Sequence, residues 1–535
     1  MSTRRRGTYS RLVAGGAVLL MITAAAACGS ADTRDSAGGG TLHIAEGAEQ
    51  PTLDPAKNIQ YLSDEMAAIY DTLVVVKADG TIGPSLAESW TVEGPSITFK
   101  LRTGVKFHDG TPFNAAAVKA ALDRVVDPAT KATNSKSVLG PYDNSQVIDD
   151  NTVKVTWKTP VGAALINLAN ADLSIPSPAA ATAGTLDAKP VGTGPYKFVS
   201  YVKGDRLEVE RNNDYTTIRP DLTNKGAPKY ERIVFQYVTN ASTRANLLST
   251  GAVQVAQLTG PDAKRLASAS NLNNASFPGV SETALWINAK NVPDLNVRKA
   301  ISAAIDRDAL IQAVASGYAE TNWSTVPTIV PGYDKTVESA VTKYNQAQAK
   351  SLLATAGYTA GADGVMQKDG KPLTLSILSA SDDPWPAIDQ LVQDQLAQVG
   401  IKAQIKTEEF ATVTQTRRKG DQSIYIGRYG ILDPAGSMRI LFACANIPSA
   451  QVPQGTNLTF NCNPEVDAAL DQAISEIDEA KRNALVSRAQ HLMAADHTAL
   501  VLYQPKSVVF SAKKVGGIGM QPDGILKIND LVPVG

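Results

Sequence analysis

The chain has 535 residues, with 51 Lys and Arg against 52 Asp and Glu, 4 His and 3 Cys. A near-neutral balance lacks the basic excess that neutralising a phosphate backbone demands, which excludes nucleic acid as a natural partner. At roughly 150 residues per domain the length suits two or three domains with a cleft between lobes.

The first expected element is a leader. Arg4, Arg5, Arg6 and Arg11 precede an apolar stretch over 12–27, the layout of a signal peptide covering 1–27. That stretch is short for a spanning helix, which needs roughly 20 apolar residues. Ala25, Ala26 and Ala27 before Cys28 resemble a lipobox, in which the cysteine thiol takes a lipid and becomes the new N-terminus. Ala25 stands where that pattern has Leu or another larger aliphatic residue, so cleavage without lipidation is the alternative. Gly7 and Thr8 follow the arginines where a twin-arginine signal wants apolar residues, which favours the general secretory route. Residues 28–40 (CGSADTRDSAGGG) have almost nothing to bury and read as a flexible tether beside a membrane.

Residues 41–44 suit a short strand that the Pro-bracketed QPTLDP of 50–55 stops. Met66, Ile69, Tyr70 and Leu73 recur at helical spacing, which predicts a helix with one buried face. Alternation over 96–102 predicts a half-buried strand, the HDG of His108, Asp109 and Gly110 a turn, and 115–125 a helix. Further strands are expected at 152–157, 196–201, 206–211 and 231–238, each bounded by Gly, Asn, Asp or Pro. Beyond Trp286 helices dominate, at 297–316, 345–356, 385–399 and 464–496, with a strand at 373–378 between them. The apolar, β-branched 499–510 reads as a strand returning to the first lobe. Such alternation implies an α/β fold. With Cys28 assigned to lipid, Cys444 and Cys462 have a spacing suited to one disulfide in an oxidising compartment, with two free thiols as the alternative. Closing that loop would contribute about 3 kcal/mol.

The stretches PTLDPA from Pro51, IYDTLV from Ile69, PSLAESW from Pro84, FKLRTGVKFHDGTPFNAAAVK from Phe99, PVGTGPYKF from Pro190 and ERNNDY from Glu210 run along the first half. LWINAKN from Leu285, VRKAISAAIDRDALI from Val297, YNQAQAKSLLATAGY from Tyr344 and NPEVDAALDQA from Asn463 continue through the second. Together, in this order, they resemble the family 5 extracellular solute-binding proteins, the class of dipeptide, oligopeptide and nickel binders of ABC importers. The resemblance implies an α/β, two-lobed periplasmic-binding-protein-like clamp of cluster C type with an extra subdomain on the first lobe. Lobe I is then expected over 41–76, 190–283 and 503–535, the extra subdomain over 77–189, and lobe II over 284–502. Two crossing strands would join the lobes near 283–288 and 500–504. The implied role is an extracytoplasmic lipoprotein, anchored to the outer face of the cell membrane or periplasmic. It would capture peptides or a related small solute in the cleft, with ligand affinity stabilising closure. Its expected partners are the solute and the permease and ATPase subunits in the membrane. The chain itself has no GxxxxGK[ST] phosphate loop, and a monomer without cofactor or metal is expected.

In peptide-binding members a stretch GDFD…GW…D…P lines the pocket, and one Asp in it pairs with the peptide's α-amino group. The matching stretch here is GDQSIYIGRYGILDP, residues 420–434. Counted back from Pro434, that Asp falls on Gly430 and the usual Trp near Gly427. The departure opens the alternative of a non-peptide cargo such as a sugar, a metal chelate, haem or an aromatic acid. Arg428 offers a planar fork for a carboxylate and Tyr429 a flat apolar wall. Asp433 is read as a loop cap or an ammonium partner. Trp286 and Tyr503, beside the expected crossings, line the cleft or pack beneath it. Trp323 and Trp385 lie in loop-like stretches as aromatic walls or lid packing, and Asp54 is a cleft residue or a turn former.

A secreted hydrolase is the reading from another class, and the sequence offers it little. His43, His108, His491 and His497 form no HExxH pair, and no GxSxG elbow occurs. SxxK appears at Ser200 to Lys203 and Ser511 to Lys514 without SDN or KTG companions. The HDG turn matches a surface turn of the family, so no catalysis is expected.

Overall fold

The computed structural model describes residues 39–58, 63–382 and 384–535. The expected leader, the Cys28 lipidation site and nearly all of the tether lie outside them.

Among the described residues one large sheet runs through both lobes. Its path is Lys402–Glu408, Thr374–Ala380, Ile424–Gly430, Ser281–Ile287, Ala499–Ala512, Val255–Leu258, Thr41–Glu46, Arg232–Tyr237, Arg206–Arg211 and Tyr196–Val202. The 14-residue strand Ala499–Ala512 is what makes this possible. Its first half pairs with Ser281–Ile287, Tyr503 opposite Thr283, and its second half pairs with both Val255–Leu258 and Leu272–Pro278. Leu272–Pro278 continues across Gly279 and Val280 into Ser281–Ile287, so two antiparallel strands cross from lobe to lobe side by side. At the crossing a Cβ on Gly279 would lie 2.4 Å from the Pro505 carbonyl oxygen, which is why glycine stands there. The Gln504 side chain bolts the crossing, donating to Gly279 O at 2.6 Å and accepting from Thr328 N at 3.1 Å. The exchange of partners thus centres on 278–281 and 504–506, a few residues from the expected 283–288 and 500–504.

The architecture is the expected α/β clamp of two lobes. Apolar clusters cover both faces of the lobe II strands: Leu285, Ile287, Ile377 and Ile426 meet helices on one side, and Trp286, Tyr425 and Tyr429 meet helices on the other. Period-two alternation sends neighbouring residues to opposite faces. A separate four-stranded sheet of Ala87–Glu93, Ser96–Leu101, Thr152–Trp157 and Tyr142–Asp149 carries helix Ala115–Val126 and its own core.

Three expected helices differ. The one over 297–316 is two, Leu295–Ala304 and Arg307–Val314, because Asp306 turns its carboxylate onto Ala309 N at 3.0 Å and starts a new helix. The one over 464–496 is likewise Pro464–Ser475 and Glu479–Asp496, with Asp478 capping Lys481 N. Met66 and Ile69 lie in the short helix Asp64–Ile69, but Tyr70 and Leu73 follow its end, buried all the same. The expected disulfide is present: Cys444 and Cys462 are bonded, with Cα atoms 4.5 Å apart.

Candidate functional site

Open α/β sheets bind ligands outside the carboxyl ends of their parallel strands. In lobe II, Thr374–Ala380 is parallel to Lys402–Glu408 and Ile424–Gly430. In lobe I, Thr41–Glu46 is parallel to Arg232–Tyr237 and Val255–Leu258. Gly430 pairs with Ser281, and Leu258 pairs with Val508, both next to the crossing. The two sets of carboxyl ends therefore face the same inter-lobe space.

On the lobe II side the central side chain is Arg428. It is exposed, opposite Thr283 on the adjacent strand, with its guanidinium 6.0 Å from the centre of the Trp385 ring. Trp385 opens helix Trp385–Gln398 and packs on the apolar clusters of both sheet faces. Tyr503 sits across from Thr283 on the other crossing strand. Burial pushes its phenol up, while the Arg428 charge works against that rise. Arg428 hydrogen-bonds the Tyr503 side chain, and among the described residues no carboxylate pairs with it, so the rest of its fork is available to an anion. The structure thus brings Arg428, Trp385 and Tyr503 together.

Gly430 is exposed beside them, and an added Cβ would meet only Val280 O at 3.7 Å. The missing carboxylate is a matter of sequence and not of space. At Gly427 the opposite holds, since a Cβ would lie 2.7 Å from the Tyr425 ring; Tyr425 fills the room a larger side chain would need.

The other candidates lie elsewhere. Strand alternation turns Tyr429 away from Arg428 into the core, where its hydroxyl donates to Thr325 O at 3.1 Å. Its ring meets Trp286 edge-on at 5.4 Å, and Trp286 stacks on Phe442 at 5.3 Å. Asp433 is the N-cap of helix Pro434–Phe442, accepting from Gly436 N at 3.1 Å. Trp323 lies under the Arg307 guanidinium at 4.4 Å, beside Val501 inside lobe II. Asp54, 1% exposed, caps the turn Pro55–Lys57 and takes a two-pronged ion pair from Arg124, which ties the extra subdomain to lobe I. His108 holds a turn: Nε2 bonds Gly194 O at 3.0 Å, and burial pushes the imidazole down to about 4.

Where the lobes meet, Val76 and Asn167 of the first, Ile329 and Leu432 of the second, and Asp523 of the C-terminal segment surround about 530 Å³ of space, open solvent included. Direct contact closes one rim: Gly162 N donates to Ile474 O at 2.7 Å.

Sequence reasoning missed the lobe I side. Glu46, Glu49, Asp64 and Glu65 gather at the strand ends there, and burial pushes Asp64 up to about 6 and Glu65 up to about 7. The signal was AEGAEQ directly after a predicted strand, with DE at the start of the next helix. Among the described residues, no group of three or more His, Cys, Asp or Glu is placed to hold a metal, and no helix is long and apolar enough to cross a membrane.

The family model described as bacterial extracellular solute-binding proteins, family 5 Middle, matches residues 81–449. The glutathione-binding protein GsiB of Pectobacterium atrosepticum is 32% identical over 503 residues, covering 91% of this chain and 93% of its own length. Among solved structures, NikA from Brucella suis in complex with Fe(III)-EDTA superposes with a TM-score of 0.79 at 26% identity, covering 92% of this chain and all of its own, 100%. DppA from Helicobacter pylori in complex with the peptide STSA gives 0.72 at 26% identity, covering 93% of this chain and 98% of its own.

Proposed function

Because the chain belongs to the bacterial extracellular solute-binding proteins of family 5, which serve ABC importers, we propose that its cargo is a short peptide or peptide-like solute with a free carboxylate. One observation carries this reading: Arg428 is exposed beside Trp385 and, among the described residues, has no carboxylate partner, at the strand ends where the inter-lobe space opens. A guanidinium fork matches a carboxylate bidentately, and an aromatic ring alongside offers an apolar wall. The relatives that bind glutathione and the peptide STSA support the class.

Lobe I is assigned 41–76, 190–283 and 503–535, the extra subdomain 77–189, and lobe II 284–502. Cargo binds both lobes, favours the closed form by its differential affinity, and is handed to the permease. The leader over 1–27 directs export, and a lipid on Cys28 holds the chain at the outer face of the membrane as a monomer.

A second reading is favoured by Gly430, which leaves the position of the amine-binding Asp without a carboxylate. In that reading the cargo is an anionic non-peptide such as a metal chelate, as in NikA with Fe(III)-EDTA, or a sugar, haem or an aromatic acid. Native mass spectrometry of the chain purified from its host, followed by denaturation, separates the two. Short peptides released on denaturation are the expected result, and a sugar, chelate or other non-peptide would overturn the peptide reading.

A further inference from the structure

Four carboxyl groups converge at the cleft end of lobe I. Glu46 closes strand Thr41–Glu46, Glu49 follows it, and Asp64 and Glu65 begin helix Asp64–Ile69. Some of their oxygens are held. Ser63 Oγ donates to Glu65 Oε2 at 2.9 Å, Leu526 N to Asp64 Oδ1 at 2.8 Å, and Gly204 N and the Tyr201 hydroxyl both donate to Glu49 Oε1. Arg244 is the cation whose charge reaches Glu46, but its Nη1 is taken by the carbonyls of Val238 and Thr239 at 2.7 and 3.0 Å.

Three polar atoms are left over. Glu46 Oε1, Glu65 Oε1 and the Tyr237 hydroxyl are buried without a hydrogen-bonding partner among the described residues. Glu65 is only 1% exposed, so solvent does not replace the missing partner. Glu46 and Tyr237 stand opposite each other on paired strands, and Tyr237 also lies in the field of Glu65, so the three form one locus. Buried polar atoms are nearly always satisfied, and an unsatisfied set at a cleft asks for an occupant. Three oxygens able to accept, two of them on carboxyl groups, complement an ammonium, which has three donors and no acceptor and whose charge would favour the ionised carboxylates.

We propose that Glu46, Glu65 and Tyr237 form an ammonium subsite in lobe I, which holds the cargo's amino group while Arg428 of lobe II takes its carboxylate. This rests on the peptide reading above. It moves the amine contact to the lobe opposite Gly430, and it makes a zwitterion the bridge between lobes, so binding and closing are one event.

The test offers the full chain, purified in detergent, an equimolar pool of tripeptides and glutathione with free amino termini, together with the same pool N-acetylated. Native mass spectrometry reads the captured ratio. Wild type is expected to take the free-amine forms at least tenfold over the acetylated ones, and Glu65→Gln to reduce that preference at least fivefold. Tyr237→Phe is the second variant, expected to shift the ratio in the same direction, and it decides the matter if Glu65→Gln does not fold. Equal capture of both forms by wild type, or an unchanged ratio in the folded variants, would overturn the subsite while leaving peptide cargo standing. Capture of neither form would overturn the peptide reading and the subsite with it.

Discussion

Glu282 lies fully buried on a crossing strand, with Oε1 accepting from the Asn322 amide at 2.7 Å and Oε2 without a hydrogen-bonding partner among the described residues. Burial pushes its carboxyl up to about 8, so the folded chain keeps a proton that the unfolded chain releases above its ordinary value near 4.5. The stability this group contributes is therefore complete below that lower value and is lost as pH rises toward 8, by at most about 1.4 kcal/mol per pH unit. Glu282→Gln keeps an acceptor for Asn322 and cannot ionise. Urea denaturation at pH 5 and pH 8 should show the variant gaining on wild type at the higher pH, and identical pH dependence would contradict the assignment. Single residues were partly legible where local chemistry decides: of the two readings of Asp433, loop cap or ammonium partner, the structure shows a cap, at the N-terminus of a helix. Tyr429 was not legible, because its direction depends on which strand face is inward, and both faces of this strand are covered. Glu282 gave no local signal, since its burial comes from the crossing of distant segments.

Among the elements, strands with clean alternation, such as Thr152–Trp157 and Arg206–Arg211, were read to the residue. The merged helices were missed at Asp306 and Asp478, single capping residues inside otherwise continuous apolar patterns. The segment between Cys444 and Cys462 shows what an element without regular structure needs. Asn457 is one of its anchors, its amide donating to Phe442 O at 2.8 Å and Ala443 O at 3.1 Å, and the disulfide closes the segment just before helix Pro464–Ser475. Replacing both cysteines by serine should lower stability by about 3 kcal/mol, read as a lower urea midpoint. An unchanged midpoint would mean the loop is fixed without the bond.

At the scale of the whole molecule the two-lobed clamp was legible through its ordered motifs, whereas sequence reasoning singled out residues of the proposed site only on the lobe II side. Arg428 drew attention as a candidate ligand contact between the departures at Gly427 and Gly430, but the lobe I carboxyl groups come from separate segments that only the fold joins. Closure has its own requirement at Gly162, where a Cβ would lie 2.1 Å from the Glu476 carbonyl oxygen. Gly162→Ala is predicted to weaken cargo binding at least tenfold with little change in the melting temperature of the empty protein, measured by titration calorimetry and thermal denaturation. Unchanged affinity would show that the lobes can close without this contact.

Capture of a carboxylate-bearing solute between the lobes is tested most directly by calorimetric titration of wild type and Arg428→Ala with the peptide that native mass spectrometry identifies. Saturable one-to-one binding to wild type, weakened at least tenfold by Arg428→Ala in a protein of unchanged melting temperature, is the predicted result. Equal affinity for the two proteins, or no binding of any peptide by wild type, would contradict it.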